Sequence, residues 1–139
     1  MHARTWGERV YRRDDAARLS GIHLDNLDAL VHRAEHYDTL FSARDGGARV
    51  FSPRDLAVLA VGREVKRGGR SWLDALAIAF DHLEAPPALD ALLILTPTPV
   101  RDSGGPHVAS EVPATIERST LIVPIGAIVA DILSRIGSA

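Results

Sequence analysis

The stretch that decides the fold is Gly46-Gly47-Ala48-Arg49-Val50-Phe51-Ser52-Pro53-Arg54-Asp55-Leu56. Gly46 and Gly47 adopt positive φ at low cost, which the turn of a tight β-hairpin requires. Val50 and Phe51 have side chains that favour a strand. We therefore predict that residues 37–51 form a hairpin from which Arg49 points outward.

A helix is predicted directly after this hairpin. Ser52 is a good N-cap, Pro53 fits the first helical position, and Asp55 favours the positive end of the helix dipole. Apolar residues then recur at helical spacing as far as Val65, before Gly68 and Gly69 end the pattern. These signals predict a helix from Pro53 to about Arg67.

Two shorter helices are predicted upstream of the hairpin. The first runs from Tyr11 to Leu19 and is ended by Gly21, and the second runs from Leu24 to about Glu35. Only a short glycine-containing turn separates the two, as in a helix-turn-helix. Two helices followed by a hairpin and a third helix predict a winged helix-turn-helix over residues 10–85, after a loose N-terminal leader at residues 1–9.

A fourth helix completes this unit. Ser71 is its predicted N-cap, and the helix runs from Trp72 to Leu83, with Trp72 expected to anchor it in the core. Pro86 and Pro87 then close the unit, because proline cannot continue a helix.

The rest of the chain, residues 86–139, is predicted to form a small strand–loop–strand–helix segment. The strands are Leu92–Leu95 and Thr120–Val123, the loop spans residues 97–113, and the helix runs from Ile125 to Ile136. A segment of this size cannot bury its apolar faces alone, so it either packs on the first unit or pairs with a second copy. The fold class is mainly α, in an α+β arrangement, and we expect a homodimer formed through residues 90–139.

Composition sets further bounds. The chain has 139 residues, no cysteine and a net charge of −2. Residues 1–70 contain 13 Lys and Arg against 10 Asp and Glu, whereas residues 71–139 contain 3 against 8. The absence of cysteine excludes disulfides and thiol chemistry. No apolar signal core or membrane-length apolar run is present, so we expect a cytoplasmic protein without membrane contact.

Residues 10–83 resemble the DNA-binding domain of the MerR-type transcription regulators. The matching pieces, in order, are residues 11–22 (Tyr-Arg-Arg-Asp-Asp-Ala-Ala-Arg-Leu-Ser-Gly-Ile), Leu27, residues 47–56, and residues 69–76 (Gly-Arg-Ser-Trp-Leu-Asp-Ala-Leu). Together they extend over a little more than half of the chain, and their order and spacing are more specific than any single piece.

The resemblance implies a regulator that binds double-stranded DNA. In this family the second helix enters the major groove and the wing lies along the backbone, so residues 24–34 would read the bases. The implied phosphate contacts are Arg12, Arg13, Arg18, Arg44 and Arg49. The candidate base contacts are His23, Asn26, His32 and Arg33, of which Asn26 can make a bidentate contact to adenine.

The chain also departs from the family pattern. Leu27 is followed by Asp28, where the family usually has an arginine and aromatic residues, and Asp25 lies one turn earlier. Carboxylates repel phosphates, which favours an alternative: a protein-interaction module, anti-repressor-like or antitoxin-like, with an acidic surface that includes Glu35 and Asp38. Pro86 and Pro87 also prevent the long dimerisation helix that family members commonly have.

Other functions have little support in the sequence. The spacing of His32 and His36 would place both on one helical face with Asp28, which is the weak pattern of a zinc site. Arginines of the hairpin and first helix can also be ordinary solvated charges, with Asp14 and Asp15 as local partners. No nucleophile elbow or phosphate-binding loop is present. We therefore predict no enzyme activity, no cofactor and no resident metal.

Overall fold

A computed structural model describes residues 6–34, 43–101 and 105–137 of the chain. Within these residues the chain forms five helices and two three-stranded antiparallel sheets, an α+β arrangement. In chain order the elements are β1 (Tyr11–Arg12), α1 (Arg13–Ser20), α2 (Leu24–Ala34), β2 (Ala43–Asp45), β3 (Ala48–Phe51), α3 (Pro53–Arg67), α4 (Trp72–His82), β4 (Leu92–Leu95), β5 (His107–Ala109), β6 (Leu121–Val123) and α5 (Ile125–Gly137).

The first sheet joins the start of the chain to the hairpin, in the order β1-β3-β2. Tyr11 pairs with Phe51, so Tyr11 and Arg12 form a strand rather than the predicted start of the first helix. Gly46 and Gly47 have φ of 59° and 87°, which confirms the tight turn between β2 and β3. Residues 37–42 of the predicted hairpin lie outside the described residues.

Helices α1 and α2 are joined by residues 21–23. Gly21 has a φ of 76°, and its N–H donates to the Ala17 carbonyl at 3.0 Å, which ends α1 as predicted. Leu27, Leu30 and Val31 are buried on one side of α2. The spacing of these apolar residues fixes which face of α2 is left exposed.

Helix α3 begins with a capping box. The Ser52 hydroxyl accepts from the Asp55 N–H at 3.0 Å, and the Asp55 carboxylate accepts from the Ser52 N–H at 2.7 Å. Helix α4 has the simpler predicted cap, in which the Ser71 hydroxyl accepts from the Asp74 N–H at 3.2 Å. The predicted bounds of α3 match the observed ones, and those of α4 differ by one residue.

The second sheet has the order β5-β4-β6, and α5 follows it and packs against α3. Strand β5 lies inside the segment that the sequence predicts to be a loop at residues 97–113, so that prediction is wrong for His107–Ala109. Ile125, Val129 and Ile132 are buried on the inner face of α5, within the same core cluster as α3. The C-terminal segment therefore covers its apolar helix face within the same chain.

The described residues of the predicted leader are not loose. Trp6 is only 4% exposed, and its indole N–H donates to the Leu83 carbonyl at 3.1 Å. Arg9 pairs with the buried carboxylate of Asp55 at 3.0 Å. Trp72, expected to anchor α4 in the core, is half-buried and packs against the core cluster, with the Lys66 ammonium 6.0 Å from the centroid of its ring. The indole buried within the core is that of Trp6.

A buried arginine connects α4 to the second sheet. Arg70 is 8% exposed, and it donates to the Thr96 carbonyl at 3.0 Å and to the Asp74 carboxylate at 2.8 Å. These bonds satisfy a charge that would otherwise be costly to bury.

In the described part of the chain, no helix has both the length and the apolar character needed to span a bilayer.

Candidate nucleic-acid interface

The outer face of α2 presents most of the predicted base-contacting residues. Asn26 and His32 are exposed on this helix, and His23 is exposed directly before it. Arg33 also belongs to α2, but its side chain lies outside what the structure describes. The three described side chains are thus accessible from solvent at the N-terminal end and along the outer face of α2.

One of the two acidic residues on this face, Asp28, forms an ion pair with a residue of the neighbouring helix. The Arg13 guanidinium, at the start of α1, lies 2.6 Å from the Asp28 carboxylate on α2. About half of each side chain is exposed, so the pair contributes little to stability but reduces the negative charge of Asp28. Sequence reasoning offered Asp14 and Asp15 as partners of Arg13, and it missed Asp28 because the two residues are 15 apart in sequence.

The remaining arginines of α1 and β1 differ in their surroundings. Arg18 pairs with Asp15 at 3.1 Å across one turn of α1, as local spacing predicts. Arg12 is exposed at the end of β1. Among the described residues, Arg13 and Arg18 thus form ion pairs, whereas none of the ion pairs includes Arg12.

The two arginines of the hairpin lie directly opposite each other on neighbouring strands. Arg44 on β2 is the direct cross-strand partner of Arg49 on β3. The Arg49 side chain is half-buried, and its Nε is shielded from solvent. The Arg49 side chain, expected to point outward, is thus only partly exposed. The side chain of Arg44 lies outside the described part of the structure.

Arg63 stabilises the turn between α1 and α2, a role that the sequence did not indicate. Its guanidinium, on α3, donates to the Gly21 carbonyl at the end of α1. Glycine suits this position because its φ is 76°, whereas an added Cβ would meet only the flexible end of the Arg63 side chain. The contact joins residues 42 apart, and no local pattern reveals it.

The exposed charges that the structure describes on α1, α2 and Arg12 nearly cancel. Three described cations (Arg12, Arg13 and Arg18) accompany four described carboxylates (Asp14, Asp15, Asp25 and Asp28). Asp25 is 90% exposed, and its carboxylate lies 3.9 Å from the His23 ring. The side chains that the structure describes on this surface lack the concentrated positive charge that gives strong, sequence-independent DNA binding.

The described residues offer no group of three His, Asp or Glu side chains that could hold a metal ion. His36, which the zinc interpretation requires, lies outside the described residues, as do Glu35 and Asp38 of the predicted acidic surface.

No protein-family model matches this chain, and comparison with curated proteins gives no significant match.

Proposed function

We propose that the protein is a small DNA-binding transcriptional regulator with a MerR-like winged helix-turn-helix. The observation that carries the proposal is the exposed outer face of α2, joined to α1 by residues 21–23 and followed by the β2–β3 hairpin. A helix presented in this way fits the major groove, and the hairpin, whose strand β3 packs on α1 and α3, can follow the phosphate backbone.

The proposed contacts divide into two groups. Asn26 reads adenine, and His23, His32 and Arg33 contact other base edges. Arg12, Arg18, Arg44 and Arg49 bind phosphates, while Arg13 is shared between a phosphate and the Asp28 carboxylate. Asp28 then positions Arg13 and adds less repulsion than an isolated carboxylate would.

The balanced charge implies modest affinity for each copy. Two copies bound to a two-fold symmetric site would raise it, and we propose that residues 90–139 contribute the contact between copies. Since α5 already covers its apolar face within the chain, this contact would use other side chains, such as Val112 and Ile116, which are 57% and 52% exposed.

The test is selection of bound sequences from a random pool, followed by fluorescence anisotropy at several salt concentrations. Arg49→Ala should weaken binding on all sequences alike and lower the salt slope by about one, whereas Arg49→Lys, which keeps the charge, should retain most of the affinity. Asn26→Ala should cost about 1–3 kcal/mol and relax selectivity at one adenine. Arg67→Ala removes an exposed cation of α3 that pairs with Glu64 at 3.1 Å, and it serves as the matched control.

A second candidate function is a protein-interaction module, anti-repressor-like or antitoxin-like, that has lost its DNA reader. The slight excess of carboxylates among the described side chains of α1, α2 and Arg12, with Asp25 almost fully exposed, favours it. The discriminating experiment is a gel shift with random-sequence DNA at low salt and tens of micromolar protein. If the DNA does not shift, the DNA-binding proposal is rejected and the protein-interaction module is supported.

A further inference from the structure

A groove lies between the loop after α4 and strand β5, far along the chain from α2. Its volume is about 470 Å³, and apolar groups from Pro87, Ala91, Val108 and Ile125 line it. Val108 is 44% exposed, so apolar surface remains open to solvent. Of the six large hydrophobic side chains exposed in the described residues, Val108 is the one that lines this groove.

The groove lies at the end of the second sheet where β5 stops. Val108 and Ala109 are the last two residues of β5, Ser110 follows them, and all three line the groove. In the described part of the second sheet, β5 is an edge strand with β4 as its neighbour. An extended segment that continues from the groove along this edge can add main-chain hydrogen bonds.

Three carboxylates also line this groove. Asp81, Glu84 and Asp90 are exposed, and none of them forms an ion pair within the described ranges of the chain. Asp81 lies in the last turn of α4, where the helix dipole already places negative charge. The rim thus has a negative potential that the described cations do not neutralise by direct pairing.

Two side chains close to Asp81 in the fold, Arg54 and His82, are engaged with backbone carbonyls. Arg54 donates to the Phe80 carbonyl at 3.2 Å and lies over the Phe80 ring, and it does not line the groove. His82 does line it, with Nδ1 2.9 Å from the Ile78 carbonyl. The rim therefore attracts cations from outside the chain.

From these features we infer that the groove binds a basic, extended segment of a partner protein. An apolar side chain of the segment lies between Pro87 and Val108, and flanking Lys or Arg side chains pair with Asp81, Glu84 and Asp90. A second copy of this chain is a poor occupant, because the chain has a net charge of −2 and residues 71–139 contain 8 Asp and Glu against 3 Lys and Arg. This inference does not depend on DNA binding by α2.

The test uses the full chain and a fluorescein-labelled peptide in which valine alternates with arginine. Anisotropy should show saturable binding that weakens as salt increases. The combined variant Asp81→Asn, Glu84→Gln, Asp90→Asn should weaken binding by about tenfold or more, because it removes every carboxylate of the rim. The combined variant Glu8→Gln, Asp14→Asn, Glu117→Gln removes the same charge from exposed positions outside the groove, and it should change affinity by less than about twofold.

A second variant tests the apolar lining without a change in charge. Val108→Thr keeps the branched shape but adds a hydroxyl, and it should weaken binding several-fold. Amide NMR shifts on titration should be largest at Ala85, Ala91 and Ala109, which line the groove. Equal losses in the two charge variants, an unaffected Val108→Thr, or shifts confined to α2 would each overturn the inference. Sedimentation that shows self-association abolished by Val108→Thr would assign the groove to a second copy instead, and would also overturn it.

Discussion

Gly126 shows how one residue fixes the position of a helix. It lies in the first turn of α5, and its N–H donates to the Ala91 carbonyl at 3.1 Å. A Cβ at this position would lie closer than 3.0 Å to the carbonyl oxygens of Ala88 and Leu89. Backbone atoms cannot move aside as the end of a flexible side chain can, so α5 approaches the chain before β4 only with glycine here.

Gly126→Ala should therefore lower the free energy of unfolding by about 1–3 kcal/mol, as overpacking usually does. Gly137→Ala is the matched control, since Gly137 belongs to the same helix and has no atom within 4 Å of an added Cβ. It should leave stability unchanged or raise it by up to about 1 kcal/mol. Urea titrations followed by circular dichroism measure both, and equal stability of the two variants would refute the close approach.

Individual residues of the candidate interface were predictable where the signal was local. The apolar spacing of α2 placed Leu27 and Leu30 inside, and hence Asn26 outside. The partners of Arg13 and Arg63 were not predictable, because both contacts join distant parts of the sequence. Burial of part of Arg49 likewise depends on how the hairpin packs, which its own residues do not specify.

At the scale of the element, α3 and α4 both begin with a serine N-cap, but the two caps differ in how many hydrogen bonds they form. Ser52 is 2% exposed and takes part in a reciprocal capping box, in which Asp55 also pairs with Arg9. Ser71 is exposed and makes a single capping bond. Loss of the Ser52 hydroxyl leaves a buried N–H without its acceptor, which water cannot easily replace.

Ser52→Ala should reduce the free energy of unfolding by about 1–2 kcal/mol, and Ser71→Ala by about 0.5–1 kcal/mol, within the known range for N-caps. Thermal and urea unfolding of the two variants, measured side by side, test the order. If the exposed cap proved the more important of the two, the capping box would not be what stabilises the start of α3.

Local signals also explain which elements were predicted from sequence. The bounds of α3 were correct because Ser52, Pro53 and Gly68 mark its ends without reference to the rest of the fold. Strands β1 and β5 were missed, because two or three residues acquire strand geometry only through their partners, β3 and β4. A short strand in a segment rich in Pro, Gly and Ser carries no periodicity of its own.

At the scale of the whole molecule, the core runs through both halves of the sequence. One cluster of buried side chains includes Trp6, Leu59 on α3, Leu93 on β4 and Ile132 on α5. The bonds from Arg70 to Thr96 and from Trp6 to Leu83 join parts that are far apart in sequence. We therefore expect the described elements to unfold together in one transition.

This cooperativity can be tested with a variant in the C-terminal segment and probes outside it. Leu93→Ala removes a fully buried side chain and should cost about 2–5 kcal/mol. Both tryptophans, Trp6 and Trp72, precede this segment in the sequence. For Leu93→Ala, urea unfolding followed by tryptophan fluorescence should nevertheless show the same loss in free energy of unfolding as urea unfolding followed by circular dichroism. The control is Leu89→Ala, at a side chain 73% exposed, which should shift neither transition by more than about 0.5 kcal/mol. If the fluorescence transition of Leu93→Ala were unchanged, residues 86–139 would unfold separately. In a shared core, the loss of stability at Leu93 must also lower the stability of the structure around Trp6.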